Sequence, residues 1–236
     1  MMKNLLLDVL PEAERKRIAP YCETIPLVMH ETLHHADAPV DYVWFPHSGV
    51  CSSLVHVSSG EAVEVALVGR EGMTGLPLVL GGFATPFHVI VQAPGTATRI
   101  AREPFVHDVL HGGHPLCGAL LKYANLYMAT VAQTAACNRL HRIEQRLARW
   151  ILDMRVRMDE PVLPITHEML GLMVGSYRPS ITNALSAMED RGIVRAGRGK
   201  LTVTDQSALE QQACECHRAM KARTADTLDR IRTMAA

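Results

Sequence analysis

The fold of the C-terminal part of the chain is decided by the stretch Gly175-Ser176-Tyr177-Arg178-Pro179-Ser180-Ile181-Thr182-Asn183-Ala184-Leu185. Gly175 predicts a tight turn, because glycine adopts a left-handed backbone at little cost. A helix then begins near residues 177–179, since proline suits the first helical turn, where its missing N–H is not needed. Ile181, Leu185 and Met188 recur at helical spacing and give this helix one buried face.

The residues on either side complete a winged helix-turn-helix. Thr166 is a good N-cap for a short preceding helix over residues 166–173. After Gly192 ends the second helix, residues 193–195 and 200–204 predict a hairpin around Ala196-Gly197-Arg198-Gly199. Helix, glycine turn, helix and basic-tipped hairpin together are typical of a DNA-reading unit.

Short polar and basic side chains lie where such a unit meets DNA. Arginine pairs bidentately with guanine, and short hydroxyl and amide side chains let a helix enter the major groove. We therefore expect four base-reading residues, Arg178, Ser180, Thr182 and Asn183. Phosphate contacts are expected from Tyr177, Arg198 and Lys200. The competing interpretation is an ordinary three-helix bundle with solvated surface arginines.

Charge is divided unevenly along the chain. The 236 residues have zero net charge, 48% hydrophobic and 20% charged residues, so a disordered chain is excluded. Residues 1–137 hold 8 basic and 12 acidic residues, whereas residues 138–236 hold 16 and 12. The neutral average therefore does not argue against a nucleic-acid partner for the C-terminal half.

The N-terminal half predicts a β-domain. Short β-forming stretches cover residues 41–45, 50–57, 63–68, 88–93 and 96–100. Turn signals separate them at Pro46-His47-Ser48-Gly49, Ser58-Ser59-Gly60-Glu61, Gly81-Gly82 and Ala93-Pro94-Gly95. This spacing favours a small antiparallel β-roll of the jelly-roll kind.

Two helices connect the halves. Residues 103–111 predict a short helix, and residues 114–136 a long one whose apolar side chains cover more than one face. That helix either packs on a partner helix in a dimer or is buried within one subunit. Residues 138–157 predict an amphipathic helix. We expect an α+β fold with two domains, a β-roll with the long helix (1–137) and a winged helix-turn-helix with a C-terminal helical tail (138–236).

The chain resembles the Crp/Fnr superfamily of bacterial transcription regulators. The resemblance rests on the order β-roll, long helix, winged helix, and on the stretch quoted above with Ile165-Thr166-His167-Glu168 and Glu189-Asp190-Arg191-Gly192-Ile193. It implies a sequence-specific homodimer, joined through the long helix, on a two-fold related operator in double-stranded DNA. It also implies contact with RNA polymerase.

The resemblance assigns roles at the DNA. Thr166 and His167 would meet the phosphate backbone, Arg178 matches the base-reading arginine, and Ser180 matches a hydroxyl position. The chain departs from the cyclic-AMP receptor type at Pro179, where that type has an acidic residue, and at Asn183, where it has a second arginine. We therefore expect a different operator, with Asn183 reading an adenine edge.

The effector pocket departs from the family's cyclic-nucleotide-binding members. Those members hold ribose and phosphate with a Gly-Glu pair and a following Arg-Ser/Thr. Here Gly72 and Gly75 keep the shape of the loop, but Leu76 replaces the glutamate and the arginine position falls on or beside Phe87. Cyclic AMP is therefore not expected. The candidate pocket, for an unidentified effector, comprises Arg70, Gly72, Gly75, Leu76, Phe87 and His88.

No metal or cofactor is expected. Iron–sulfur sensing needs a cysteine cluster, and Cys22, Cys51, Cys117 and Cys137 are scattered. Haem has no axial ligand that the sequence selects. Cys214-Glu215-Cys216-His217 is a compact group, but a structural zinc site needs four ligands and no matching pair stands nearby. We interpret these cysteines as bystanders. His111 and His114 straddle Gly112-Gly113, which favours a cap or loop over a metal site.

Two functions compete with DNA binding. A β-roll metal-dependent enzyme of the dioxygenase kind would need histidines and a carboxylate converging inside the barrel. The histidines are numerous (His30, His34, His35, His47 and His56), but no His-x-His with a downstream glutamate is present. The other alternative is a binding module whose C-terminal domain contacts only protein. We expect no catalytic residues and no enzyme activity.

Export and membrane signals are missing from the N-terminal sequence. Asp8, Pro11 and Glu12 interrupt the first apolar run, and no stretch reaches the ~18 uninterrupted apolar residues of a membrane span. The six cysteines show no pattern of a disulfide scaffold. We expect a cytoplasmic protein without a membrane partner.

Overall fold

A computed structural model describes residues 4–58, 60–110 and 115–235 of the chain. The helices are α1 (Leu5–Asp8), α2 (Glu12–Ile18), α3 (Arg102–Pro104), α4 (Pro115–Leu140), α5 (Ile143–Met158), α6 (His167–Val174), α7 (Arg178–Asp190), α8 (Gln206–Gln212) and α9 (Cys216–Ala235). The strands are β1 (Glu23–Leu27), β2 (Thr32–His34), β3 (Tyr42–His56), β4 (Ala62–Val68), β5 (His88–Ala101), β6 (Val162–Leu163), β7 (Val194–Gly197) and β8 (Lys200–Val203). Short 3₁₀ turns cover Ala19–Tyr21 and Leu76–Leu80, and a wide helical turn covers Phe105–Leu110.

The N-terminal half forms the expected antiparallel sheet. Its strand order is β1-β5-β3-β4, and β2 pairs with the other end of β5. A second sheet, β6-β8-β7, belongs to the C-terminal half. Antiparallel sheets followed by helices confirm the α+β fold class.

Two predicted turns are wrong. The signals at residues 46–49 and 93–95 lie inside long strands, because β3 and β5 pair from Tyr42 opposite Ala101 to Leu54 opposite His88, with shifts of register between Pro46 and Cys51. The register shifts near Gly49, and a Cβ added there would lie 2.7 Å from the Ala93 carbonyl oxygen. Gly49 and, on the facing strand, Gly95 therefore mark a bulge where two backbones approach closely, and not the ends of strands.

The long helix extends beyond its predicted end. Residues 136–138 do not interrupt it, and α4 continues to Leu140, where His141 and Arg142 separate it from α5. The Arg142 backbone N–H donates to Gln145 Oε1 at 3.2 Å and starts α5. Of the predicted helix over residues 103–111, the described part is α3 and the wide turn after it. His111 and His114 lie outside the described residues.

One hydrophobic core joins the β-roll, α4 and the two ends of the chain. Leu116 and Leu120 of α4 are fully buried in it with Leu6 of α1. Leu228 and Ile231 of α9 belong to the same core. The C-terminal helix therefore packs back along α4, although it follows the winged helix in sequence.

A second core joins α5 and the helix-turn-helix to the outer face of the sheet. Fully buried Trp150 and Ile151 of α5 share it with Val50 and Leu54 of β3. Buried side chains of α6, α7 and the wing complete it. No helix in the described part of the chain is both long and apolar enough to cross a membrane.

Candidate nucleic-acid interface

The helix-turn-helix forms where the sequence predicts it. Thr166 caps α6, since its side chain accepts a hydrogen bond from the Met169 backbone N–H at 3.2 Å. Gly175 ends α6 with φ 59°, in the left-handed region. Its N–H donates to the carbonyls of Gly171 and Leu172, which closes the turn. Tyr177 then occupies the N-cap position of α7 without a side-chain capping hydrogen bond, and Pro179 lies in the first helical turn.

The exposed face of α7 carries two of the four predicted base-reading residues. Arg178 and Asn183 are exposed, whereas Ser180 and Thr182 are half-buried. The Thr182 hydroxyl donates to the Arg178 carbonyl at 3.1 Å and lies 3.2 Å from Nδ1 of His167. Thr182 and His167 therefore contact each other between α6 and α7, while Arg178 and Asn183 point to solvent.

The predicted wing is the β7–β8 hairpin. Arg198 and Lys200 are exposed at its tip, and Tyr177, at the start of α7, is 77% exposed. Glu189 of α7 accepts a hydrogen bond from the Ala196 backbone N–H at 2.7 Å. This bond links the hairpin to α7, so the exposed basic residues of both elements belong to one unit.

The helix-turn-helix is docked on the β-roll. A Cβ added to Gly175 would lie 3.0 Å from Cγ2 of Val63 in β4. Deeper in the interface, the Trp150 indole N–H donates to Glu64 Oε1 at 2.8 Å and the Ser52 hydroxyl donates to Glu64 Oε2 at 2.5 Å. Burial raises the pKa of Glu64 to about 7, although both hydrogen bonds oppose the shift.

Ion pairs line a cleft beside this interface. Arg157 of α5 pairs with Glu71 at 2.7 Å, and Arg149 pairs with Asp153 at 3.0 Å. Asp153 is also 2.8 Å from Nδ1 of His217 in α9. Burial alone would raise the pKa of Asp153, but the His217 hydrogen bond and the Arg149 charge outweigh it and the pKa is lowered.

A separate, apolar cavity of about 500 Å³ lies between the β-roll and α4. It brings together three predicted effector-pocket residues, Gly75, Leu76 and Phe87, with Tyr127 and Val131 of α4. The polar side chains that line it are hydroxyls: Ser53, Thr74, Thr85 and Tyr127. None of its lining residues is charged or a histidine.

The other predicted pocket residues lie elsewhere. Arg70 is exposed and lines the ion-pair cleft. Gly72 lies beneath Tyr123, and a Cβ at this position would clash with the Tyr123 hydroxyl. The His88 ring lies 5.4 Å from that of His56 and 5.6 Å from that of His35. Burial lowers the pKa of His88, and the two neighbouring histidines add to this effect.

The interpretation of Cys214 and Cys216 as bystanders rested on a reason that the structure contradicts. Cys137 and His141, at the end of α4, lie next to them, so the missing ligand pair is present. His217 is not part of this group, because it turns to Asp153. The sequence did hold a signal, since Cys137-x-x-x-His141 places two ligands one helical turn apart.

The histidines of the β-roll do not gather into a metal site. Among the described residues, three or more metal-ligating side chains converge only in the cluster of Cys137, His141, Cys214 and Cys216. His34 is buried and hydrogen-bonds Thr74 at 2.9 Å, and burial lowers its pKa to about 4. His47 lies 2.8 Å from the Thr98 hydroxyl. The enzyme alternative therefore gains no support.

Comparison with known proteins identifies the C-terminal unit. Residues 145–212 match the family of Crp-like helix-turn-helix domains. No curated protein matches the chain.

Solved structures share the fold over most of this chain. A transcriptional regulator of the Crp/Fnr family from Eubacterium rectale superposes with a TM-score of 0.70 at 19% identity, over 90% of this chain and 97% of that one. FixK2 from Bradyrhizobium japonicum superposes with a TM-score of 0.69 at 15% identity, over 82% of this chain and 98% of that one. The c-di-GMP-responsive regulator CLP of Xanthomonas campestris superposes with a TM-score of 0.65 at 12% identity, over 83% of this chain and 100% of that one.

Proposed function

We propose that this chain, which has the fold of the Crp/Fnr transcriptional regulators and a Crp-like helix-turn-helix domain, binds specific DNA sequences as a homodimer and so regulates transcription. The observation that carries the proposal is the exposed face of α7, where Arg178 and Asn183 point to solvent beside the exposed wing residues Arg198 and Lys200. The opposite face of α7 is buried through Ile181 and Leu185.

Each residue of this surface has a defined task. Arg178 reads a guanine through its two-pronged guanidinium, and Asn183 reads an adenine edge. Tyr177, Arg198 and Lys200 contact phosphates, joined by Thr166 at the start of α6. Ser180 borders this surface. Thr182 and His167 support it indirectly, because their contact holds α6 against α7. Thr182 therefore acts more as a positioning residue than as a base-reader.

The dimer forms through α4. Leu121 and Met128 lie seven residues apart on this helix and are 50% and 57% exposed. Large apolar side chains two turns apart on one face are typical of a helix that packs against its own copy. A dimer on this axis presents two recognition helices to a two-fold related operator.

The effector is an uncharged, mainly apolar molecule in the cavity between the β-roll and α4. A buried phosphate requires cationic partners, and this cavity offers only hydroxyls such as Thr74 and Thr85. Anionic nucleotides, cyclic AMP included, do not suit it. A ligand there would touch Tyr127 and Val131 of the dimerisation helix, and through α4 it could alter the disposition of the two reading units. From the resemblance to the Crp/Fnr regulators we also propose contact with RNA polymerase, and from the sequence we propose a cytoplasmic location.

Selection of bound DNA from a random pool tests this function. We expect the full-length protein to enrich an inverted repeat whose half-site centres lie about one helical turn, roughly 34 Å, apart. Binding should weaken steeply as salt rises from low to moderate concentration, because phosphate contacts release counterions. Recovery of no common sequence, together with salt-insensitive binding, would overturn the proposal.

A further inference from the structure

Four soft-ligand side chains meet at the junction between α4 and α9. Cys137 lies near the end of α4 and His141 directly follows it, while Cys214 lies in the turn before α9 and Cys216 is the first residue of α9. One donor atom from each residue lies within 4.8 Å of all the others. The three cysteines are buried and form a small cluster of their own.

The distances suit a single tetrahedral ion. Thiolates bound to zinc at about 2.3 Å in a tetrahedron are separated by about 3.8 Å from each other. Here Sγ of Cys137 and Cys214 lie 3.5 Å apart, and Sγ of Cys216 lies 3.7 Å from Nδ1 of His141. The sulfurs of Cys137 and Cys214 are too far apart for a disulfide, and both cysteines are free.

The surrounding hydrogen bonds orient the ligands. His141 faces Cys216 with Nδ1, and its Nε2 lies 3.1 Å from Oε1 of Glu215. A histidine ligand of zinc usually donates its second ring N–H to a carboxylate in this manner. The side-chain amide of Gln133 donates to Sγ of Cys216 at 3.1 Å. Both contacts position a ligand atom without occupying the centre of the cluster.

The charges around the cluster also suit a divalent metal ion. Three thiolates and a neutral histidine around a divalent ion carry one net negative charge. Arg149, only 6% exposed, lies close enough to Cys137 and Cys214 to interact with both electrostatically. Nε of Arg149 is buried and has no hydrogen-bond partner among the residues described. Another nitrogen of this guanidinium pairs with Asp153 at 3.0 Å, and its positive charge would also stabilise an anionic metal centre nearby.

We propose that Cys137, His141, Cys214 and Cys216 bind one zinc ion in a closed, structural site that joins α4 to α9. The protein supplies all four ligands, so no position stays open for catalysis. A mononuclear ion fits better than an iron–sulfur cluster, because the sulfurs bound to a cluster are spread over several iron atoms, whereas these four donors are all mutual neighbours. The site does not depend on the function proposed for α7.

Metal analysis of the full-length protein tests the site. Protein purified from zinc-supplemented medium should contain about one zinc ion per chain by elemental mass spectrometry. Replacement of zinc by Co²⁺ should produce thiolate-to-cobalt charge-transfer absorption and the visible bands of tetrahedral cobalt. Cys137→Ser and Cys214→Ser should each lose both signals, whereas Cys117→Ser, on the same helix α4 but outside the cluster, should keep them.

A substitution at an exposed residue tests the site without disturbing the core. Glu215 is exposed, so Glu215→Gln leaves the core intact and should lower zinc affinity roughly 10–100-fold in competition with a chelator, with an unchanged cobalt spectrum. Metal-free protein after zinc supplementation would overturn the proposal. Stoichiometric iron with acid-labile sulfide, or equal zinc loss in Cys117→Ser and Cys214→Ser, would also overturn it.

Discussion

Trp150 of α5 donates its indole N–H to the carboxylate of Glu64 in β4 at 2.8 Å. This bond crosses the interface between the β-roll and the reading unit, which comprises α5, the helix-turn-helix and the wing. Both side chains are buried, and Ser52 donates to the second carboxylate oxygen. An ionisable group whose pKa lies near neutrality thus sits between the two halves of the chain.

Glu64→Gln should change how stability depends on pH. The folded-state pKa of about 7 lies above the ordinary value of 4.5, because burial disfavours the charged form. The folded state therefore binds the proton more tightly, so this contribution to stability is complete below pH 4.5 and is lost as pH rises through about 7. The loss amounts to roughly 3 kcal/mol, and denaturant unfolding at several pH values measures it.

Other groups also titrate, so the quantity to compare is the change in unfolding free energy with pH, in the wild-type protein and in Glu64→Gln. Glu103→Gln, which changes an exposed carboxylate, is the control and should keep the wild-type slope. Equal slopes in the wild-type protein and Glu64→Gln would contradict the prediction.

Arg178→Ala should weaken specific DNA binding and relax the preference for guanine at one operator position. Loss of a bidentate arginine–guanine pair costs about 1–3 kcal/mol. Arg198→Ala should instead weaken binding to all sequences alike and reduce the slope of affinity against salt by about one unit. Fluorescence anisotropy with the selected operator and with scrambled DNA measures both effects.

Lys16→Ala removes the same charge from an exposed position of α2, where Lys16 pairs with Glu12 at 2.7 Å. It should leave DNA binding unchanged. If Lys16→Ala and Arg178→Ala weakened binding equally, the exposed face of α7 would not be the reading surface.

Leu121→Asp and Met128→Asp should shift the protein towards monomer. Each variant places a charge on the exposed apolar face of α4. Burial of one such side chain contributes roughly 1.5–3 kcal/mol, so the dimer dissociation constant should rise about tenfold or more. Sedimentation over a concentration series measures this shift. Val28→Asp, at a 58% exposed position after β1, should leave it unaltered.

Val131→Phe should block the apolar cavity. Nile red, an uncharged dye, should gain fluorescence with the wild-type protein and much less with Val131→Phe, because the larger ring fills the space beside Tyr127. Cyclic AMP should neither compete with the dye nor raise the melting temperature. Val57→Phe, at a 52% exposed position, is the control. Competition by cyclic AMP would show that the cavity accepts anions.

Gly72→Ala should destabilise the fold by about 1–3 kcal/mol. The new methyl group would clash with the hydroxyl and ring atoms of Tyr123, which is buried and donates to the Met73 carbonyl at 3.2 Å. Denaturant unfolding measures the loss. Gly82→Ala, whose Cβ comes no closer than 3.3 Å to a neighbour, should cost clearly less.

Local signals predicted the reading unit well. Thr166, Gly175 and Pro179 each act within a few residues of themselves, as a cap, a left-handed turn and a first-turn proline. Exposure of Arg178 and Asn183 followed from the buried face of the same helix. Where the determinant is a property of neighbouring residues, sequence reasoning was sufficient.

Long-range contacts were the part that sequence reasoning missed. Pro46 and Gly49 indicated a turn, but pairing with β5 overrode that local preference. Cys137 and Cys214 are 77 positions apart, and only the return of α9 along α4 brings them together. Thr182 had the expected location on α7, yet its hydroxyl is engaged by His167 from another helix.

The return of α9 along α4 restricts how the reading unit can move. A domain attached through one linker can rotate about any axis through that linker, whereas this unit is anchored at both of its ends, by α4 before it and by α9 after it. The two anchor points, at Cys137 and Cys214, are only 3.5 Å apart at their sulfurs. If the unit parted from the sheet, it would still be held at this one place, and its rotation would centre there. A ligand that acts on α4 would reach the helix-turn-helix through this anchor point, or through the core that the helix-turn-helix shares with the sheet.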